Sequence, residues 1–269
     1  MDSENEESPP GDGSYGQPLK MSHVFFRFYA ELNDFLPPAR RQTAFDHTYQ
    51  GRTSIKDMIE SLGVPHTEID LILANGRSVD FHYIVTDGDR ISIYPVFESL
   101  DIRPILHLRP EPLRTPRFIL DTHLGRLAAY LRLLGLDAVY RNDFTDGELA
   151  GRASGEERIL LTRDRGLLKR SLVTRGYCVR SDSPRLQARE VVERFDLWKA
   201  IAPFRRCLSC NGLLQPVDKL TILDRLPPGT RDRFDEFYRC SDCGKIFWAG
   251  SHYARLQGLV AEFLSYARK

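Results

Sequence analysis

Two apolar runs, Arg117-Phe-Ile-Leu-Asp121 and Arg158-Ile-Leu-Leu-Thr-Arg-Asp164, each stop on an aspartate and each pass into a helical pattern. Uninterrupted apolar runs of this length suit strands covered on both faces. Such strands belong to parallel sheets, whose neighbours are joined through crossover helices. The chain is therefore expected to fold as α/β. In an open α/β sheet the carboxyl ends of the strands form the functional rim, so Asp121 and Asp164 should share one edge.

The pattern between and after the runs completes such a unit. Leu124, Leu127, Ala128, Leu131 and Leu134 line one helical face, stopped by Gly135. A strand over 136–141, an acidic loop over 142–146 and a helix over 147–153 follow, with Thr145 or Asp146 as the helix cap. Beyond Asp164 the spacing predicts a short helix over 166–172, a strand over 177–180 and a helix over 186–195. The whole is a three-layer parallel-sheet core. Carboxylates gathered at one rim repel each other unless a cation bridges them or one is protonated. All-oxygen ligation with room for water suits Mg2+ or Mn2+, the ions that assist phosphodiester hydrolysis. Asp121 and Asp164 are the leading catalytic candidates, Asp146 is the third, and Asp143 and Asp182 are further acidic positions. Each also has an ordinary use as a turn former or helix cap.

Four of the five cysteines fall into two C-x-x-C pairs, Cys207/Cys210 and Cys240/Cys243, a metal pattern rather than a disulfide framework. Each pair has a glycine close behind its second cysteine, which lets backbone N–H groups point at the thiolates. Together they offer four soft ligands for one tetrahedral Zn2+, and a four-thiolate site is closed and structural. The 29 residues between the pairs exceed the usual spacer and imply an insertion, tolerable because loop closure grows only logarithmically with length. Lys245 to His252 places basic and aromatic residues beside the second pair, where they could stack on bases. His252 is read as a neighbour of the site and not a ligand, and Cys178 as core.

Residues 1–20 are acidic, then rich in Gly, Pro and Ser, and are expected to be disordered. Residues 21–98 read as a small separate domain. Strands start near His23 and Thr43, and a helix opened by Ser54 carries Ile55, Met58, Ile59 and Leu62 on one face. A strand at 71–74, an Asn75-Gly76 turn, a strand over 79–85, an Asp87-Gly88 turn and a strand over 90–94 follow. One helix over a mixed sheet in this order is a β-grasp arrangement, and its apolar pattern is expected to close on itself. Four prolines and three arginines make 99–116 an extended, stiff linker. Charge divides near that linker. Residues 1–100 hold 8 Lys+Arg against 16 Asp+Glu, whereas residues 101–269 hold 30, of which 25 are Arg, against 21. The arginine-rich half, with a balance of +9, favours an anionic polymer as partner.

Phe118-Ile-Leu-Asp-Thr-His-Leu-Gly-Arg-Leu-Ala-Ala-Tyr-Leu-Arg-Leu-Leu-Gly-Leu-Asp137, followed by Ile159-Leu-Leu-Thr-Arg-Asp-Arg165, resembles the Mut-seven-C PIN-like ribonuclease family. In that family a zinc ribbon follows the α/β core, and a ubiquitin-like, sulfur-carrier-like domain can precede it. The resemblance covers about residues 117–253. It implies a PIN-like nuclease core over 117–200, a zinc ribbon and C-terminal helix over 201–269, and metal-dependent RNA cleavage. Asp121, Asp146 and Asp164 match the family's acidic positions. RNA is then the expected partner, with the β-grasp domain a site for a protein partner. Thr86 to Pro95 resembles the last strand of the sulfur carriers, but this chain runs on where a carrier ends in a free Gly-Gly. The alternative expectation is a non-catalytic RNA-binding or adaptor protein with structural zinc. No run approaches the ~20 apolar residues of a membrane span. The acidic opening is unlike a secretory signal, so the cytoplasm is the expected compartment.

Overall fold

The computed structural model of the chain describes residues 21–95 and 116–268; the expected tail over 1–20 and nearly all of the Pro/Arg linker lie outside them. The first described region is a five-stranded sheet with one α-helix and three short 3-10 turns. Its strands are β1 (Met21–Phe28), β2 (Phe45–Gln50), β3 (Ile69–Ala74), β4 (Arg77–Val79) and β5 (Asp89–Pro95), and the helix is α1 (Ile55–Ser61). The strand order is β2-β1-β5-β3-β4, with β1 and β5 parallel and the other pairs antiparallel. Ser54 starts α1 by accepting from the Asp57 N–H at 3.1 Å, and Ile55, Met58 and Ile59 point into the core. Asn75 and Gly76 both take positive φ, the backbone a tight hairpin between β3 and β4 requires.

The expected strand over 79–85 is not formed: β4 ends at Val79, and only Ile84 returns, as an isolated bridge to Ser54. Side chains take the bonds a ladder would use. Asp80 accepts from the His82 N–H at 2.8 Å, and Asp89 accepts from Tyr83 Oη at 2.9 Å and the Thr86 N–H at 2.8 Å. Local side-chain acceptors of this kind compete with sheet pairing.

The central unit alternates strand and helix: β6 (Phe118–Leu120), α2 (Gly125–Leu133), β7 (Ala138–Tyr140), α3 (Asp146–Gly155), β8 (Ile159–Thr162), α4 (Arg165–Leu168), β9 (Gly176–Cys178) and α5 (Pro184–Arg194). All four strands are parallel, in the order β7-β6-β8-β9. Alternation along the strands divides the core in two. Phe118, Leu120, Ile159, Leu161 and Tyr177 pack with Leu127 and Leu131 of α2 and Val191 and Val192 of α5. Ile119, Leu160 and Cys178 face the other way, toward Leu149 and Ala150 of α3 and Leu167 and Leu168 of α4. On this second face the apolar cluster runs on without a break into Phe26, Ile59, Ile72 and their neighbours in the first region. That region therefore does not close on itself as expected; it shares a core with the parallel sheet.

The last part holds a three-stranded antiparallel sheet of β10 (Leu214–Val217), β11 (Phe237–Cys240) and β12 (Ile246–Phe247), with a one-turn helix α6 (Pro228–Arg231) in the insertion. The insertion has its own small core of Ile222, Leu226 and Phe237. The closing helix α7 (Ser251–Leu264) turns back to the central unit, where Phe263 is buried beside Trp198 with ring centroids 5.6 Å apart.

Candidate active site

The chain leaves β6 toward β7 on one side and leaves β8 toward β9 on the other, so the crevice of the parallel sheet opens between the carboxyl ends of β6 and β8. Asp121 is the first residue after β6 and is only 8% exposed. Its Oδ1 accepts from the Thr122 N–H at 2.6 Å and Oγ1 at 3.2 Å, and its Oδ2 accepts from Thr162 Oγ1 at 2.6 Å. Thr162 ends β8 and is fully buried; its hydroxyl also accepts from the Asp164 N–H at 2.9 Å. One hydroxyl thus ties the two leading candidates together across the switch point, with its single proton committed to Asp121.

Asp164 caps α4 by accepting from the Gly166 N–H at 2.7 Å through Oδ1, which leaves Oδ2 without a hydrogen bond among the described residues. Asp146 is exposed at the first turn of α3, after the strand flanking β6 on the other side, and its carboxylate is likewise unbonded among the described residues. The helix cap is Thr145, whose side chain and that of Glu148 bond each other's backbone N–H. Asp143 is held by Arg141 through two bonds of 2.8 and 2.6 Å, and that guanidinium keeps its carboxyl below the usual range. Asp182 pairs with Arg163 at 2.8 Å. The structure therefore joins Asp121 to Asp164, sets Asp146 on the same rim, and commits Asp143 and Asp182 to arginines. Thr162 is the member the sequence reading did not assign, although its place in a Thr-x-Asp strand end was visible.

Among the described residues, only Cys207, Cys210, Cys240 and Cys243 bring three or more ligand atoms together, all within 4.8 Å of one another. Sulfur separations of 3.7 Å for Cys207 and Cys243 and 3.3 Å for Cys210 and Cys240 approach the about 3.8 Å that tetrahedral Zn–S bonds of about 2.3 Å impose. The group can hold a metal ion such as zinc. A β-carbon on Gly212 would stand 2.7 Å from Cys240 Sγ, so only glycine fits behind that thiol. The Lys245 N–H lowers the Cys243 thiol to about 7, while burial pushes Cys210 up to about 12, a difference that a bound cation overrides by deprotonating every ligand. The carboxylates are not gathered in this way. A hard cation that keeps several waters needs only one or two direct carboxylates, and Asp164 Oδ2, without a hydrogen bond among the described residues, is one oxygen donor of that kind.

Two further side chains dock the knuckle onto the sheet. Buried Arg132 donates to the carbonyls of Leu208 and Ser209 at 3.0 and 3.1 Å. Asn211, at φ +79°, accepts from the Ala138 N–H at 3.0 Å and donates to Asp137 Oδ1 at 2.8 Å. The aromatic patch is arranged differently from expectation. Trp248 packs toward Phe237 in the insertion's core, whereas Tyr238 and Phe247 are cross-strand partners on the opposite face of the small sheet, with Tyr238 exposed. His252 is exposed and contributes no atom to the cysteine group.

Compared with known families, residues 116–260 match the model described as Mut7-C RNAse domain and residues 21–101 match that described as Mut7-C ubiquitin. No curated protein and no solved structure matches. No helix of the described residues is long and apolar enough to cross a membrane.

Proposed function

The chain belongs to the Mut7-C RNAse domain family, and on that premise we propose that it hydrolyses RNA phosphodiester bonds at the β6/β8 rim with the help of a divalent ion. The observation that carries this reading is the Thr162 hydroxyl joining Asp121 to the start of α4 at the switch point of the sheet. Asp121 and Asp164 would hold Mg2+ or Mn2+, with Asp146 reaching it through water. Bound there, such an ion supplies an activated water and offsets charge on the phosphate. Thr162 keeps Asp121 oriented, because its proton is directed at Oδ2. The Thr122 N–H, directed at Oδ1, holds the other oxygen of the same carboxylate in place. Exposed arginines of the +9 half attract the phosphates of the substrate, so binding weakens as salt rises. The four-thiolate centre is proposed to hold structural zinc, since a closed site leaves no position for substrate.

A second reading, RNA binding without cleavage, is favoured by one observation: the three carboxylates do not converge as the thiolates do. Asp164→Asn decides between them. Asp121→Asn would set an amide N–H against one of the two donors, Thr122 or Thr162, whereas Asp164→Asn keeps an oxygen for the Gly166 N–H. With Mn2+ present, purified wild type should degrade RNA and chelator should stop it. Asp164→Asn should lose about two or more orders of magnitude in rate and keep salt-sensitive RNA binding. Asp143→Asn, at an arginine-paired position, should stay within about twofold. A folded Asp164→Asn protein cleaving at the wild-type rate would sink the assignment.

A further inference from the structure

β9 is an edge strand, and the outward N–H groups of an edge must find acceptors or remain open to pairing. The N–H of Cys178 finds one in the other domain. Glu68, on the turn that precedes β3, is wholly buried; its Oε1 accepts from the Cys178 N–H at 2.5 Å and its Oε2 from Arg180 at 3.2 Å. Burial pushes the Glu68 carboxyl above its ordinary range, against the pull of Arg180 and the Cys178 N–H. A carboxylate without water is tolerated only when paired and hydrogen-bonded, and both of its partners lie across the seam.

The rest of the seam is built to match. Lys169 donates to the Glu60 carbonyl at 2.6 Å, and His66 spans from Glu60 at 2.5 Å to the Val173 carbonyl at 3.0 Å. The guanidiniums of Arg165 and Arg180 lie over the Phe35 ring at 4.8 and 5.1 Å. The apolar cluster is continuous beneath them. Register then leads from this seam to the rim. Cys178 pairs with Thr162, the Val179 N–H donates to the Thr162 carbonyl at 2.8 Å, and the Thr162 hydroxyl holds Asp121.

We infer that the ubiquitin-like domain is a fixed wall of the nuclease unit, in which Glu68 is a positioning residue that sets β9 and, through Thr162, the Asp121 carboxylate. The positioning half of this inference rests on the rim being catalytic; the docking half does not. Cys178 makes both halves testable in the intact, zinc-loaded chain, because its thiol is buried at the seam.

Wild type, Glu68→Ala and Glu68→Gln are compared by three measurements: alkylation of Cys178 mapped by mass spectrometry, amide exchange over 160–164, and kcat and KM for RNA. In wild type the thiol should be protected. Glu68→Ala leaves the Cys178 N–H without its acceptor and Arg180 with Asp34 alone among the described residues, at 3.4 Å, as a carboxylate partner, so alkylation should speed up by about tenfold or more and exchange at 160–164 should rise. Its kcat should fall about tenfold with KM changed less than about twofold, the split expected when positioning is lost but substrate binding is kept. Glu68→Gln retains an acceptor for the Cys178 N–H and should recover most of kcat, and it serves alone where Glu68→Ala does not fold. A wild-type Cys178 that reacts like a free thiol overturns docking. A loosened Cys178 with unchanged kcat and unchanged exchange at 160–164 overturns positioning. If no variant, wild type included, cleaves RNA, the ribonuclease reading fails, while alkylation and exchange still decide the seam.

Discussion

The parallel sheet has two edges, β7 and β9, and the chain closes each with a side chain from a different neighbour. At β7 the acceptor is neutral: Asn211 Oδ1 takes the Ala138 N–H, and its amide passes the bond on to Asp137, which Arg158 and Arg206 hold at 2.7 and 3.3 Å. At β9 the acceptor is the charged, wholly buried Glu68, paired with Arg180. The settings differ as much as the groups. Asn211 directly follows Cys210, so its position depends on the four-thiolate cluster, whereas Glu68 sits over a continuous apolar core. With zinc in the proposed site, one edge would be closed by metal-coupled folding, and the other is closed by packing. Covering an edge in this way removes the unpaired backbone that would recruit another strand.

The largest effect expected from that contrast comes from the metal. Apparent binding energies of structural zinc reach about 10–16 kcal/mol and are folding energy for the segment that holds it. Cys240→Ser should release zinc, unfold residues 205–250 and expose the Ala138 amide to exchange, with the Cys178 amide still protected. Loss of protection at both amides together would show that the edges are not independent. Next in size is the charged edge in stability measurements. Removing one partner of a buried ion pair costs up to about 3–5 kcal/mol, of which Asp34, 3.4 Å from Arg180, offsets a part; Glu68→Ala should still lower the denaturant midpoint more than Asn211→Ala, which leaves the Ala138 N–H without its acceptor and Asp137 with Arg158 and Arg206, at about 1–3 kcal/mol. The reverse order would mean that the knuckle, not the seam, dominates the fold.

The smallest effect is in pH. Burial opposes it, but the bonds from Arg158 and Asn211 hold the Asp137 carboxyl below its ordinary range. A folded value below the unfolded one contributes stability that is present above the ordinary carboxylate pKa of about 3.9 and is lost as pH falls through the lower folded value. Glu68 has the opposite sign: its raised folded value means that stability falls as pH rises above its unfolded pKa. Mild acid should therefore weaken the β7 edge relative to the β9 edge. Denaturant midpoints measured from pH 7 down to about pH 3 should fall more steeply for wild type than for Asp137→Asn. Equal slopes would remove Asp137 from the account of the β7 edge.

Much of this architecture is legible in short stretches of chain. The apolar runs of β6 and β8, the leucine face of α2, the Asn75-Gly76 hairpin, the Thr145 cap and the two C-x-x-C pairs each rest on residues a few positions apart. Periodicity, turn chemistry and ligand spacing are short-range properties, so sequence alone determined the element types, the order of the domains, the cysteine cluster, and which edge of the sheet carries Asp121 and Asp164. The stretch over 79–85 shows where that reasoning ends. Its residues suit a strand, yet Asp89 takes bonds from Tyr83 and Thr86, and the ladder stops at Val79.

Tertiary structure decided how the edges are closed and which hydroxyl Asp121 bonds. Glu68 reaches Cys178 across 110 positions of sequence and Asn211 reaches Ala138 across 73; neither residue carries a local pattern that announces the partner. Asp143 and Asp182 stayed open as further acidic positions until Arg141 and Arg163 claimed them, and Thr162 gained its role only when β8 settled beside β6. The reason is physical: a backbone N–H or a carboxylate bonds whatever group the fold brings within about 3 Å, and for the partners of Glu68, Asn211 and Thr162 that neighbour is set by packing between distant segments.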